Sequence, residues 1–189
     1  MLRTRVGYAG GEKKNPTYYS LGNHTEVISI DYDPTVLSYG DLLKLFWTAH
    51  RCDQLNYSRQ YMNAVFYHDE KQRKAGEKSR KEAAGKQGVK EDAVQTSIVP
   101  VGDFTYAEEY HQKYYLTQHQ ELRAFLSKTY PDAKSLADST VAARLNAYLG
   151  NGRKSDWSAF LKELPEYGLP DEWEKVLSDA AVKMLDRVK

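Results

Sequence analysis

Two short runs concentrate the residues able to do chemistry, Asn15-Pro16-Thr17-Tyr18-Tyr19 and Asn23-His24-Thr25-Glu26. Both precede an apolar strand pattern, so they should gather at one sheet edge. A phenol and a carboxyl brought together there bind and protonate a polar oxygen, provided burial keeps a proton on the carboxyl. Glu26 also reads as a surface carboxylate at a strand start and His24 as a loop or capping histidine; spacing alone does not decide. Cys52 follows His50 and Arg51 near a predicted helix C-terminus. A neighbouring cation lowers a thiol pKa, but the negative helix end disfavours a thiolate. Cys52 therefore reads either as a reactive thiol or as an incidental one. Asp53 and Tyr61, in the same loop region, are candidate polar lining. His111 stands at helical spacing with Tyr110 and Tyr114, which favours a packed aromatic face over a metal site. Gly7-Tyr8-Ala9-Gly10-Gly11 lacks the lysine and the helix that a phosphate cradle needs, and neither GxSxG nor HExxH occurs.

The elements that must carry these residues change character along the chain. Leu2 to Tyr8 alternates as a strand does, with the pattern already under way at the second residue. Gly10-Gly11 ends it, and Glu12 to Thr17 reads as an exposed loop. A second strand, Val27 to Tyr32, closes at Asp33-Pro34. A helix is predicted from Ser38, with Asp41 completing a capping box and Leu42, Leu43, Leu45, Phe46 and Trp47 forming its apolar face; it should end near Ala49 or His50. Met62 to Tyr67 and Val94 to Val101 read as further strands. Between them Asp69 to Lys86 reads as a solvated helix carried by i,i+4 charge pairs. Phe104-Thr105-Tyr106 leads into Ala107 to Leu116. Beyond Leu116 the pattern is helical, near Glu121–Lys128, Ser139–Leu149, Asp156–Leu164 and Asp171–Val188. Gly150-Asn151-Gly152 stops one of these helices and Pro170 starts another. The pattern predicts an α+β domain over residues 1–116, with a sheet of about four to five strands and flanking helices, and an α-helical extension over 117–189.

Composition narrows the function classes. Twenty-seven Lys and Arg balance 26 Asp and Glu, for a net charge of +1, which carries no signature of a nucleic-acid or membrane-surface partner. No apolar run reaches the roughly 20 residues that span a bilayer, and the first residues lack a signal core. The expectation is a soluble intracellular, cytoplasmic protein. One cysteine excludes an internal disulfide framework and a site of several thiolate ligands. Fifteen tyrosines are the compositional oddity, suited to pockets and interfaces because the ring is apolar and the hydroxyl hydrogen-bonds.

In order and spacing, Val6-Gly7-Tyr8-Ala9-Gly10-Gly11, Asn15-Pro16-Thr17-Tyr18, His24-Thr25-Glu26-Val27, Tyr32-Asp33-Pro34, Leu42-Leu43 and Phe46-Trp47 resemble the A-type peptide methionine sulfoxide reductases. Gln60-Tyr61 with Ala64 to Tyr67, and Ala107 to Tyr114, continue the resemblance over roughly residues 1–116. The resemblance implies an α+β core that reduces the S epimer of methionine sulfoxide, free or in proteins, with electrons from thioredoxin or another thiol reductant and no metal or dissociable cofactor. It makes Glu26 the acid that protonates the sulfoxide oxygen and Tyr18 and Tyr61 its hydrogen-bond donors, with Tyr114 near the same pocket.

The departures matter as much. The family carries its nucleophilic Cys or selenocysteine in a Gly-Cys-Phe-Trp-type segment ahead of Val-Gly-Tyr-Ala-Gly-Gly, where this sequence has Met1 to Arg5. The family's His-Asp-Pro run reads His50-Arg51-Cys52-Asp53, which makes Asp53 a shifted stand-in, and the family's longer Gly-Asn-Asp-bearing loop is shortened. A cysteine-free helical extension replaces the usual tail of resolving cysteines. Three expectations follow. The chain is a truncated form of a longer enzyme, with a selenocysteine codon read as a stop as one specific route, and is unstable and inactive as written. It is a non-catalytic relative that binds through the sulfoxide pocket or the helical tail, where an exposed stripe of Trp157, Phe160, Leu161, Leu164 and Trp173 would make the partner contact unless it packs onto the sheet body. Or Cys52 substitutes as nucleophile.

Overall fold

β1 (Arg3–Ala9) is the central strand of a three-stranded sheet in a computed structural model that describes residues 2–56, 58–151 and 154–187. Its neighbours are β2 (Thr25–Asp31) and, at the other edge, β5 (Thr105–Tyr106), which runs antiparallel with Gly7 opposite Tyr106 and Tyr8 opposite Thr105. Gly7 is required by this pairing, because a Cβ there would sit 2.3 Å from the Thr105 carbonyl oxygen. Gly10 ends the strand at φ +74°, a conformation that costs glycine nothing. Tyr8, Leu21 and Ala107 are buried together beneath Val6 and Tyr18.

β3 (Ala64–Tyr67) and β4 (Ser97–Pro100) form a parallel pair, Val65 opposite Ile98, and the crossover a parallel pair requires is α2 (Glu70–Gln87). The charge pattern of α2 is realised on its wet face, where Arg73 bridges Glu70 and Glu77. The purely solvated helix expected from that pattern is corrected by a buried stripe of small residues, Gly76, Ala83 and Ala84, that lets the backbone approach β3 and β4. A Cβ on Gly76 would meet Ile98 at 3.2 Å. α1 (Tyr39–Thr48) starts with the predicted capping box of Ser38 and Asp41 and packs on α2, with the Trp47 indole N–H donating to Ser79 Oγ at 2.9 Å. Its apolar face is narrower than expected: Leu43 and Trp47 are buried, whereas Leu45 is 63% exposed.

The described residues divide into two compact units, one of Val6–Glu108 and one of Leu2–Arg5 with Glu109 onward. The second unit contains α3 (Tyr114–Thr117), α4 (Gln120–Leu126), α5 (Ala133–Ala137), α6 (Thr140–Asn151), α7 (Lys154–Glu163) and α8 (Asp171–Arg187). Gly152 and Val188, expected as a helix stop and a helix end, lie outside the described residues. α3 and α5 are short helices beyond those expected; α5 is started by Asp132, whose carboxylate accepts from Ser135 N–H in a capping box. Trp157, Phe160 and Leu164 are neither an exposed stripe nor a face packed on the sheet. They sit, at most 2% exposed, in the unit's own core with Leu116, Leu126, Leu145 and Leu177, and Leu161 and Trp173 pack against that core partly buried. No helix among the described residues is long and apolar enough to cross a membrane.

Lys113 is buried in this unit, 5% exposed, and its ammonium donates to the Thr4 carbonyl, to Thr4 Oγ1 and, at 2.8 Å, to the Ala137 carbonyl. Beside it Arg5 and Lys134 both pair with Asp138. Burial pushes the Lys113 pKa down to about 8, with repulsion from Arg5 adding to it and Asp138 opposing. Between pH 8 and about 10.5 the unfolded chain therefore holds a proton that the folded chain has lost, so stability should rise with pH across that window. Tyr61, Tyr148 and Tyr167 hold their protons more tightly when folded, so their opposite contribution begins only near pH 10. The thermal midpoint is expected to climb from about pH 7.5 to 9.5, and Lys113→Met to flatten that slope. A native midpoint that falls over the same interval would contradict it.

Candidate active site

The turn Thr17–Ser20, the start of β2 and a 3₁₀ turn at Arg59–Tyr61 bring Tyr18, Glu26, Gln60 and Tyr61 into one hydrogen-bonded chain. Gln60 Nε2 donates to Glu26 Oε1 at 2.6 Å and to the Tyr61 hydroxyl at 3.2 Å. The Tyr61 and Tyr18 hydroxyls are 2.9 Å apart. The Tyr61 pKa is pushed up to about 12 by its hydrogen bond to Tyr18, by partial loss of water and by the negative charge of Glu26. The Gln60 amide and the Tyr61 and Tyr18 hydroxyls are thus joined in one chain, and Tyr61 stays neutral at physiological pH.

Each member is fixed by neighbours in its own unit. Glu108, just past β5, accepts from the Tyr8 hydroxyl and, at 2.9 Å, from the Tyr18 N–H, tying the turn to the central strand. The 3₁₀ turn is anchored to the β2 entry by Thr25 Oγ1, which donates to the Arg59 carbonyl at 3.0 Å, and by the Arg59 guanidinium, which reaches the carbonyls of Asn23 and Gly10, both at 3.1 Å. His24 is 2% exposed. Its Nδ1 accepts from Gly11 N–H at 3.2 Å and its Nε2 donates to the Lys13 carbonyl at 2.8 Å, which assigns it a neutral tautomer. It thus holds the Gly10-Gly11 loop against the site, the loop role left open by the sequence.

The structure thus joins Glu26, Tyr18 and Tyr61. Cys52 is placed elsewhere in the first unit: it is fully buried among Leu43, Trp47, Val65, Ala83, Ala84 and Val94. Its N–H donates to Gln87 Oε1 at 2.9 Å, and the Gln87 amide donates to the Trp47 and His50 carbonyls, closing the end of α1 over it. Burial lowers the pKa of His50, which is hydrogen-bonded at both ring nitrogens, to the Phe46 carbonyl and Thr96 Oγ1. Asp53 is gripped by the Arg51 guanidinium through both oxygens, at 3.0 and 2.9 Å, and that contact holds its carboxyl below the usual range. Tyr114 lies in the second unit, 56% exposed at the start of α3. Among the described residues no group of three or more His, Cys, Asp or Glu is placed to hold a metal.

Gln60, Arg59 and Glu108 are site residues that the sequence reading assigned no part. Gln60 next to Tyr61 was a visible signal, but its partner Glu26 is 34 residues away. As an arrangement, two phenols and a carboxyl on one edge bind a strongly polarised oxygen and supply it with a proton.

The sequence profile of the family described as Peptide methionine sulfoxide reductase matches residues 1–143, which carries the match beyond Leu116 into α6. The chain is 43% identical over 150 residues to the peptide methionine sulfoxide reductase of Drosophila melanogaster, covering 79% of this chain and 59% of that one. It is 39% identical over 137 residues to the peptide methionine sulfoxide reductase MsrA of Methanothermobacter thermautotrophicus, covering 68% of this chain and 80% of the relative. Among solved structures it is similar to reduced Mxr1 of Saccharomyces cerevisiae, with a TM-score of 0.55 at 28% identity over 61% of this chain and 70% of that one.

Proposed function

Because the chain belongs to the peptide methionine sulfoxide reductase family, an oxidoreductase family with an α+β fold, we propose that its site takes the S epimer of methionine sulfoxide, in proteins or free. The observation that carries this is the Glu26–Gln60–Tyr61–Tyr18 chain. In this reading the Tyr18 and Tyr61 hydroxyls hold the sulfoxide oxygen and Glu26 protonates it. Tyr114 remains a candidate by resemblance alone. Asp53, bound through both oxygens to Arg51, has no part in the protonation.

Reduction also needs a thiol. The thiolate attacks the sulfoxide sulfur, the protonated oxygen ends on the attacking sulfur as a sulfenic acid, and the two-electron-reduced thioether leaves. A second thiol, from thioredoxin or another reductant, then condenses with the sulfenic acid to a disulfide and water. The acid site supplies only the proton. The one cysteine in these 189 residues is enclosed among apolar side chains, so Cys52 is not the attacking thiol. A second reading, favoured by that burial, is that these 189 residues bind a sulfoxide without turning it over by themselves.

The two readings part in one assay, reduction of a peptide S-methionine sulfoxide with excess dithiothreitol. The chain and its Cys52→Ser variant should bind the peptide without turnover. A version with a Gly-Cys-Phe-Trp segment ahead of residue 1 should reduce it if the site is a reductase site, and stay inactive if the site only binds. Activity of the unmodified chain that disappears in Cys52→Ser would overturn the exclusion of Cys52.

A further inference from the structure

Between them α1 and α2 leave an open groove of about 780 Å³, to which none of the Glu26, Gln60, Tyr61 and Tyr18 side chains contributes. The helices are drawn together at one end, where the Gln87 amide donates to the Trp47 and His50 carbonyls at 3.1 and 3.2 Å. Along the rest of the groove many of the facing residues are small: Gly40 on α1, and Ala75, Ser79 and Ala83 on α2. A Cβ at Gly40 would meet nothing nearer than Ser38 Oγ at 3.6 Å, so no close neighbour requires a glycine there and the space beside it is free. Leu43 and Trp47 complete an apolar floor. A mostly apolar cleft of this size between helices is a usual form of small-ligand site.

The hydrogen-bonding capacity of the lining narrows the ligand. Its neutral polar groups are already engaged within the protein. Ser79 Oγ accepts from the Trp47 indole at 2.9 Å and donates to the Gly76 carbonyl at 2.7 Å. Thr48 Oγ1 donates to the Leu45 carbonyl, His50 uses both ring nitrogens, and Gln87 uses both ends of its amide. What remains is charge on the rim, from Lys44, Lys78, Glu82 and Lys86. Asp41 holds Lys44 at 2.8 Å and Glu82 stands 3.9 Å from Lys78, whereas Lys86 has no ion-pair partner among the described residues. The last carbonyls of α1 would repel an acid at that end, but Leu45, Phe46 and Trp47 have theirs covered by Thr48, His50 and Gln87. A sugar or nucleoside finds no open neutral partner here; a ligand with an apolar body and one acidic group matches the floor and the unspent ammonium. We propose that the groove binds a medium-chain carboxylate, with its acyl chain along Leu43, Trp47 and Ala75 toward Gly40 and its acid group at Lys86. From Gly40 to Thr48 α1 runs about 12 Å, enough to line the chain of decanoate.

The test is a titration of the full chain with decanoate, below its micelle concentration, read from the indole N–H signals of the three tryptophans by NMR. Trp47 donates to Ser79 in the groove, whereas Trp157 and Trp173 belong to the second unit and serve as internal controls. Decanoate should shift the Trp47 signal alone and saturably; butyrate, which has the acid without the chain, and decyltrimethylammonium, which has the chain without the acid, should not. Gly40→Leu has room for its side chain and improves helix propensity, and by filling the groove it should weaken decanoate about ten-fold or more. Lys86→Gln should weaken it about two- to five-fold, the range of an exposed charge pair. An unmoved Trp47 signal, equal shifts of all three indoles, or native affinity in both variants overturns the site. Decyltrimethylammonium binding as tightly as decanoate overturns the ligand class, and so does a Trp47 shift given by anionic phospholipid vesicles but not by decanoate.

Discussion

Glu26→Gln is expected to lower sulfoxide reduction by about 10²- to 10⁴-fold in the chain carrying the added Gly-Cys-Phe-Trp segment, the range that a positioned general acid contributes. The substitution is nearly isosteric, and its carbonyl oxygen can still accept from Gln60 Nε2, which lies 2.6 Å from Glu26 Oε1. The Gln60–Tyr61–Tyr18 chain therefore persists, and with it sulfoxide binding. What is lost is the transferable proton. The loss should fall on the single-turnover rate and not on the dissociation constant, the signature of an interaction made in the transition state. A rate for Glu26→Gln within a few-fold of the unsubstituted chain would show that the proton comes from elsewhere.

The second large effect is on folding. Phe160→Ala is expected to destabilise the second unit by about 3–5 kcal/mol, the usual cost of emptying a buried aromatic site. Phe160 is fully buried and its ring is boxed by Tyr148 at 5.2 Å, Trp157 at 5.9 Å and Tyr167 at 6.2 Å between centroids. Of these walls, Tyr148 and Tyr167 are themselves held by hydroxyl bonds to Glu163 Oε2, which Arg144 also contacts. A wall fixed from behind relaxes little into a cavity, which places the cost toward the upper part of the range. Urea titration followed by tryptophan fluorescence measures it through Trp157 and Trp173, both in or against this core. Val182→Ala, at a position 47% exposed, should change stability by no more than about 0.5 kcal/mol. A Phe160→Ala cost below about 1 kcal/mol would mean that the helices do not share a single core.

What the sequence made legible was local. The capping box of Ser38 and Asp41 fixes the start of α1 within three residues of chain, and the β1 motif shows its glycines because each answers to a nearby backbone demand. The equivalent box of Asp132 and Ser135 is not legible in the sequence, because its N3 residue is a serine and the helix it starts has five residues. The β4 ladder, Ser97–Pro100, is shorter than the apolar run from Val94: Val94 is buried against α2's core instead of pairing. Periodicity places Leu45 on the apolar face of α1, but with the partner surface on one side of the helix it faces water. For the site, Glu26 and Tyr18 stood out by residue type. The groups that fix them, Gln60 at 34 residues' separation and Glu108 at 90, are visible only once the chain is folded. Cys52 shows the same limit in reverse, since a sequence neighbourhood of His50 and Arg51 says nothing of the apolar shell that closes over the sulfur.

The division of β1 between two units bears on the order of assembly during synthesis. Leu2–Arg5 belong with residues from Glu109 onward, and Arg5 finds Asp138 across 133 positions of sequence. The opening half of this strand therefore leaves the ribosome long before Lys113 and Asp138 do. Until Lys113 and Asp138 have emerged, the Thr4 carbonyl lacks the Lys113 ammonium and Arg5 lacks the Asp138 carboxylate. Closing so long a loop is entropically slow compared with forming the local turns of α6 and α8. The helical unit is thus completed by residues made well ahead of it, and its assembly waits on contacts of long sequence separation.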